Sequence, residues 1–402
     1  MQELLSGISL LILVFQVPAV FVLLSRLLKG PFRQPPIQPQ SPTPELLGNV
    51  SVVVPTLNEV ERISPLLTGL SKQSYEVREI IVVDSNSQDG TRDLVKATIE
   101  KDPRFRLITD DPLPKNWVGR PWALHNGFLS TSAASEWFLG MDADTQPAPG
   151  LVAGLVKTAS ALDYDLVSLS PQFILQYPGE SLLQPALLMT LLYRFDPAGV
   201  NAQSSERVMA NGQCFLCRRS VLEKVNGYTS AKSSFCDDVT LARQIAATGF
   251  KVGFLDGAKV LKVRMYEGAA ETWKEWGRSL DLKDASSRAQ TWGDLWLLTS
   301  VQGLPLIIVS LILLLLTLSP PLPISLSPHL FPSPPLLLLS VNLFLLLIRS
   351  MMLLAIAPSY DFTQNKGGWL FWLSPIADPL AVLRIFLSAL RTPRQWRGRE
   401  YG

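Results

Sequence analysis

The sequence predicts an α/β domain built on a mostly parallel sheet and attached to apolar membrane helices, and three observations carry that prediction. From Val50 onward, short runs rich in Val, Ile and Leu alternate with helix-like stretches, the pattern of strands joined by crossover helices. Polar and acidic residues gather just past the predicted strand ends, where doubly wound sheets bind their ligands. Charged residues make up 17% of the 402, against about 25% in a typical soluble domain, so long uncharged segments accompany an ordinary soluble one.

Leu4 to Leu24 is uncharged and almost wholly apolar, matching the ~20 residues that cross a bilayer. Glu3 precedes it and Arg26, Lys29 and Arg33 follow, the reverse of a signal peptide. Residues 1–30 are therefore expected to form an uncleaved anchor whose C-terminal flank is cytoplasmic. Pro35, Pro36, Pro39, Pro42 and Pro44 make residues 31–49 a stiff extended linker.

The α/β domain is expected over residues 50–268. VSVVVP reads as a buried strand, Val60 to Ser71 as a helix, Glu79 to Asp84 as a second strand and Thr91 to Glu100 as a helix after the turn SQDG. Phe105 to Ile108 suits a third strand, Pro121 the first turn of a helix running to about Ser130, and Trp137 to Met141 a fourth strand. Gly150 to Leu162 is helical and Asp165 to Pro171 strand-like. Ser181 to Phe195 is a helix apolar over too much of its circumference for a simple amphipathic face, suiting either a core or a surface that meets lipid. Val208 to Arg218 reads as another strand, and Asp237 and Asp238 open a helix that ends at Gly249.

Residues 269–295 carry Trp273, Trp276 and Trp292 among Lys274, Arg278 and Lys283, which suits a helix at the membrane surface; packing of the tryptophans in a core is the competing reading. Trp296 to Leu318 and Leu336 to Ala357 are long enough to cross, so residues 296–357 are expected to form two spans around a proline-rich loop, Arg349 snorkelling toward the cytoplasm. Trp369 to Leu390 is also long enough, but Pro375, Asp378, Pro379 and Arg384 interrupt it. Arg391, Arg394, Arg397 and Arg399 follow, and a crossing would carry them outside. Residues 358–402 are therefore expected to form a re-entrant or interfacial segment with a basic cytoplasmic tail.

The chemistry centres on WFLGMDADTQP, residues 137–147. Alternation along a strand sends side chains i and i+2 to one face, so Asp142 and Asp144 can enter one space at the strand's end. Paired carboxylates suit a hard divalent cation, Mg²⁺ or Mn²⁺, that takes further ligands from water and from substrate phosphates. A solvated turn explains the same pair. Asp237 and Asp238 read equally as a helix cap and as an ionised proton acceptor.

Several classes are excluded or disfavoured. A net charge of +2 gives no argument for nucleic-acid binding. Three cysteines make no disulfide framework, and the Cys214 and Cys217 pair lies in a strand-like run as packing residues. His125 and His329 are the only histidines, too few for a multi-histidine zinc site. No P-loop is present and no G-x-G-x-x-G follows the first strand, which leaves a phosphate substrate to be held by carboxylates through a metal.

VVVPTLNE at 52–59, VVDSNSQDGT at 82–91, DADT at 142–145 and CDDVTLAR at 236–243 resemble, in order and spacing, the family 2 glycosyltransferases of GT-A fold. WVGRPWALHNG at 117–127 and WRGREY at 396–401 resemble a membrane-anchored branch that glycosylates lipids, carotenoid glycosyltransferases included. The resemblance implies a UDP- or GDP-sugar donor, a divalent metal and a single inverting displacement. It implies that Pro55, Asn58, Glu59 and Asp84 contact the nucleotide, Asp142 the ribose or metal, and Asp144 the metal. Asp238 would be the general base, with Asp237 beside it, and Arg120 would hold a phosphate. Trp117, Arg278, Trp396 and Arg397 are further candidates for phosphate or acceptor contact. The Q-x-x-R-W signature of processive synthases is absent, which favours transfer of one sugar. A hydroxylated carotenoid is the expected acceptor; sphingolipid, diacylglycerol or polyprenyl phosphate are alternatives, as is a non-catalytic scaffold that binds a nucleotide sugar.

Overall fold

The computed structural model describes residues 2–202, 204–275, 280, 282–318, 333–390, 395–396 and 399–400. Its centre is a seven-stranded sheet of β1 (Val50–Thr56), β2 (Val77–Asp84), β3 (Phe105–Thr109), β4 (Trp137–Met141), β6 (Leu166–Ser170), β8 (Cys214–Arg218) and β9 (Val252–Asp256). The order is β3-β2-β1-β4-β8-β6-β9. The first four strands are parallel, β8 runs antiparallel to both its neighbours, and β6 and β9 are parallel again.

The continuous apolar runs follow from burial on both faces of the sheet. Val52 and Val54 enter one core with Leu66 and Leu155, while Val53, Ile81 and Val83 enter another with Leu124 and Phe128. Because β1, β2 and β4 point the same way, the residues that follow them emerge at one edge of the sheet. This is the parallel-rich α/β arrangement expected from the alternating pattern.

A second sheet, in the order β11-β7-β10-β5, joins β5 (Thr145–Pro147), β7 (Gln172–Ile174), β10 (Leu261–Val263) and β11 (Tyr360–Asp361). The last of these lies between the long apolar helix Pro334–Ile356 and the segment Gly368–Leu390, so the sheet ties both to the α/β domain. Among the described residues, four helical segments are long and apolar enough to cross a membrane: Glu3–Phe32, Arg288–Leu318, Pro334–Ser359 and Gly368–Leu390. Three of them are linked by buried polar contacts. Gln16 Nε2 donates to Ser300 O and Asn342 Oδ1, both at 2.9 Å. In an apolar surrounding, such pairs fix which helices touch and at what height.

Several sequence expectations change. The helix after β1 is Ser64–Ser71, with Pro65 in its first turn, rather than starting at Val60. The strand expected from Val208 is only Cys214–Arg218, because Asn211 to Gln213 are held by contacts with Ser168 and within their own turn. The helix expected over 269–295 is two pieces, Gly268–Glu275 and the start of Arg288–Leu298; Trp276 and Arg278 lie outside the described residues. The proline-rich loop at 319–332 lies outside them too.

Arg349 does not snorkel. It is 2% exposed and makes a two-point pair with Asp378, at 2.7 and 3.0 Å, beside Ser374. Pairing inside the bundle replaces the water that snorkelling would have reached, and Asp378 is far away in sequence.

Candidate active site

The turn after β4 carries the paired aspartates. Asp142 O accepts from Thr145 N at 3.3 Å and Thr145 Oγ1 at 2.8 Å, while Asp142 N donates to Gln213 O at 3.3 Å, which ties this turn to the segment before β8. Asp142 and Asp144 both line one cavity of about 1400 Å³. Two carboxylates on one wall fit a divalent cation that completes its shell with donor phosphates and water. Among the described residues no group of three His, Cys, Asp or Glu is placed to hold a metal unaided.

Arg120 organises the rest. It sits in the first turn of the helix Gly119–Leu129, and its side chain is only 14% exposed. Its Nε and Nη2 reach Asp142 Oδ1 at 2.9 and 2.8 Å, its Nη1 pairs with Asp237 Oδ2, and its Nη2 donates to Gly212 O at 2.8 Å. Gly212 N in turn donates to Asp238 Oδ2 at 2.7 Å, and Val239 N to Asp238 Oδ1 at 2.9 Å. One guanidinium therefore links the β4 turn, the 212 turn and the head of the helix Asp237–Ala247. A Cβ at Gly212 would lie 2.2 Å from Arg120 Nη2, so this approach of backbone to guanidinium needs glycine.

Burial pushes the Asp237 carboxyl up to about 7, with Arg120 opposing the rise and Asp238 and Asp142 adding to it. Burial also raises Asp238, against the pull of Arg120 and its two backbone donors. Burial works against the charge on Arg120, yet Asp142, Asp237 and Asp238 together outweigh it and hold the guanidinium above its ordinary value.

The expected nucleotide side divides in two. Pro55, Glu59, Arg120, Asp142 and Asp144 share a small recess of about 60 Å³. Asn58 and Glu59 line the main cavity. Asn58 adopts a left-handed φ of 54°, with Oδ1 accepting from Gln88 N at 2.9 Å, and Glu59 N donates to Thr91 Oγ1 at 2.8 Å. Asp84 lines neither space: it is 1% exposed, accepts from Ser87 N at 3.0 Å and Thr56 Oγ1 at 3.3 Å, and pairs with Arg92 at 3.6 Å. Its carboxylate is thus held by the loop that follows β2.

Trp117 also falls outside both cavities, its ring packed 5.0 Å from Trp122 and 5.1 Å from His125. Arg278 and Arg397 lie outside the described residues, and of Trp396 only the backbone is described, pairing with Arg399 in a short hairpin. The Cys214 and Cys217 thiols are buried in β8, with burial pushing both well up, as packing residues would be.

Sequence reasoning missed the cavity's other wall. Leu27, Leu188, Leu191, Leu192, Met352 and Ile356 line the same space as the carboxylates. They come from three helices far apart in sequence. The one available signal was the helix around Ser181 to Phe195, apolar over more of its circumference than one buried face requires.

Residues 51–225, which hold the first strands of the parallel-rich sheet and the acidic residues past their ends, match the model of the family described as Glycosyl transferase family 2. Among curated relatives, the chain is 26% identical over 245 residues to a 4,4'-diaponeurosporenoate glycosyltransferase of Staphylococcus haemolyticus, covering 61% of this chain and 64% of that one. It is 27% identical over 239 residues to a probable glycosyltransferase, YdaM, of Bacillus subtilis, covering 58% and 53% respectively. The chain thus spans between about half and two thirds of the length of these relatives. Among solved structures, a mannosyltransferase of Pyrobaculum calidifontis, in complex with GDP-Man and Mn2+, aligns at 18% identity and a TM-score of 0.49 over 96% of this chain and 99% of that one.

Proposed function

We propose that this chain moves one sugar, with inversion, from a nucleotide-sugar donor to a hydroxyl of a membrane-resident lipid, a hydroxylated carotenoid, without building a polymer. The observation that carries the reading is the single cavity whose walls combine Asp142, Asp144 and Asp238 with apolar residues of the long helices. A soluble, charged donor and a greasy acceptor need such a mixed space to meet. The family match supports sugar transfer, and the relative named for diaponeurosporenoate, a carotenoid substrate, supports that acceptor class.

In the proposed mechanism, Asn58 and Glu59 border the nucleotide. Asp144 and Asp142 would hold a divalent cation, which would supply positive charge against the charge building on the departing diphosphate. Arg120, which lines the same cavity as Asp142 and Asp144, sets a positive charge beside the donor's phosphates. Asp238, fixed by Gly212 N and Val239 N, accepts the acceptor hydroxyl's proton as its oxygen attacks the anomeric carbon in line with the leaving group. One displacement of this kind inverts that carbon. The apolar wall holds the acceptor's hydrocarbon and excludes water, the competing nucleophile. The chain is proposed to be integral to the membrane, with this domain on the cytoplasmic face.

The experiment is transfer by the full chain in lipid vesicles with Mg²⁺ or Mn²⁺, UDP- and GDP-sugars, and a hydroxylated carotenoid, diacylglycerol, ceramide or polyprenyl phosphate. Mass spectrometry identifies the product and proton NMR its anomeric configuration. One added hexose on the carotenoid, inverted, supports the proposal. A product only on another lipid replaces the acceptor, and donor binding without any product moves the chain to a scaffold role.

A further inference from the structure

We propose that the helical segment Gly368–Leu390 does not cross the membrane but lies flat in its surface, forming a docking face for a lipid monolayer. It would return the chain to the side of the α/β domain; the inference rests on the membrane reading above. By length and apolarity alone this segment qualifies as a span. Its contacts at both ends point the other way.

The N-terminal end is tied to the α/β domain. β11 pairs with β7, Asp361 pairs with Lys262 at 2.6 Å, Asn365 Nδ2 donates to Ser181 Oγ at 2.8 Å, and Lys366 N donates to Gln176 O at 3.1 Å. The C-terminal end is tied to the same layer. Arg384 Nε donates to Trp273 O at 2.7 Å, Lys283 Nζ to Ser388 O at 3.0 Å, and the Phe386 ring meets Trp292 edge to face at 6.3 Å.

These C-terminal partners are themselves held by the α/β domain or by the helix Pro178–Arg194 that it carries. Gly268 N donates to Glu180 Oε1 at 2.8 Å, and a Cβ on Gly179 would lie 2.6 Å from Ala269 Cβ. Phe235 N donates to Asp284 Oδ2 at 2.9 Å, and Arg243 Nη1 to Ala285 O at 2.5 Å. Ten 3₁₀ and thirteen α residues extend over roughly 40 Å, more than the ~30 Å hydrocarbon core. Standing upright, such a rod would carry its ends to opposite faces. Both ends meet the same domain, so it lies along that domain's membrane edge.

The two sides of the rod fit that orientation. Phe371, Ser374, Asp378, Val382 and Ile385 are buried against the bundle, Asp378 in its pair with Arg349. Trp369, Trp372, Ile376, Leu380, Leu383 and Leu390 face outward, between 47% and 66% exposed. That apolar ridge joins the exposed apolar faces of Leu304–Leu318 and Pro334–Ile356, where Leu311, Leu347 and Leu354 are more than half exposed. A lipid monolayer covers both surfaces continuously, with tryptophans at headgroup depth.

Single-cysteine labelling of the full chain in intact and permeabilised cells tests the arrangement, using an impermeant maleimide. The native Cys214, Cys217 and Cys236 are buried and give the background. Lys101→Cys in the α/β domain, Thr363→Cys before the segment and a cysteine appended after Gly402 are expected to label on one side. Ser333→Cys, at the head of the Pro334–Ile356 helix, is expected on the other; all three native positions are exposed. An appended cysteine that labels with Ser333→Cys overturns the proposal. If Ser333→Cys labels with Lys101→Cys, the three-span membrane reading itself fails, and the proposal with it. Spin labels at Ile376, Leu380, Leu383 and Leu390 give a second measurement. Flat, they report depths within about one helical turn, roughly 5 Å; crossing, their 14 residues spread over roughly 20 Å.

Discussion

Replacing Arg120 with Met tests whether one guanidinium holds the carboxylates of the site together. The substitution keeps much of the side-chain volume and removes the charge that faces Asp142 and Asp237. Asp237 is 4% exposed, so it is left as a buried carboxylate without its partner. Removing one member of a buried pair costs about 3–5 kcal/mol. For a domain of this size each kcal/mol lowers Tm by about 2–4 °C, so Arg120→Met should melt about 6–20 °C below the parent in detergent. Asp237→Asn in the Arg120→Met background should recover about 1–3 kcal/mol of that loss, because the uncompensated charge is then absent.

The pH dependence has a definite sign. The folded-state Asp237 carboxyl is already raised to about 7, well above its unfolded value, and loses its stabilising counter-charge in Arg120→Met. Folding then favours its protonated form more strongly, so the deficit should grow as pH rises through 6, 7 and 8. The reasoning fails if the two substitutions lower Tm additively, or if the deficit is constant across that range.

At the metal side, Asp144→Asn should abolish cation-dependent donor binding measured by calorimetry, whereas undiminished Mg²⁺ or Mn²⁺ dependence would remove the assignment. Asp238→Asn should bind donor normally and lower transfer by at least about 100-fold, in the range of general-base losses; a dead Asp237→Asn beside an active Asp238→Asn would reverse their roles. Burial raises both acids, so the acidic limb of kcat/KM should fall above the ordinary carboxylate range, and a limb near pH 4 would contradict that environment. Leu191→Trp narrows the apolar wall and should raise acceptor KM while leaving donor KM unchanged; equal changes in both would separate that wall from acceptor binding.

The strands β1, β2 and β4, and the acidic residues past them, were legible because period and composition are local: a strand buried on both faces is apolar along most of its length, while β3, at the sheet edge, left a shorter apolar run. Asp142 and Asp144 do line one cavity, as their spacing suggested, but they do so from the turn closed by Thr145 rather than by alternation along an extended backbone. Long apolar segments were legible by length, since a bilayer sets that length. Sequence also marked Arg120 as a candidate for the site.

What the tertiary structure alone decided is which distant residues meet. It drew Arg120 between Asp142 and Asp237, set Asp84 behind the wall, turned Trp117 away, and paired Arg349 with Asp378. It also brought Leu27, Leu191 and Met352 around the carboxylates. Each outcome depends on the relative placement of elements that share no periodicity, and on desolvation penalties that exist only once those elements pack. Local sequence therefore determines the strands and their polar ends, while the cost of burying charge beside hydrocarbon selects the partners that complete the site.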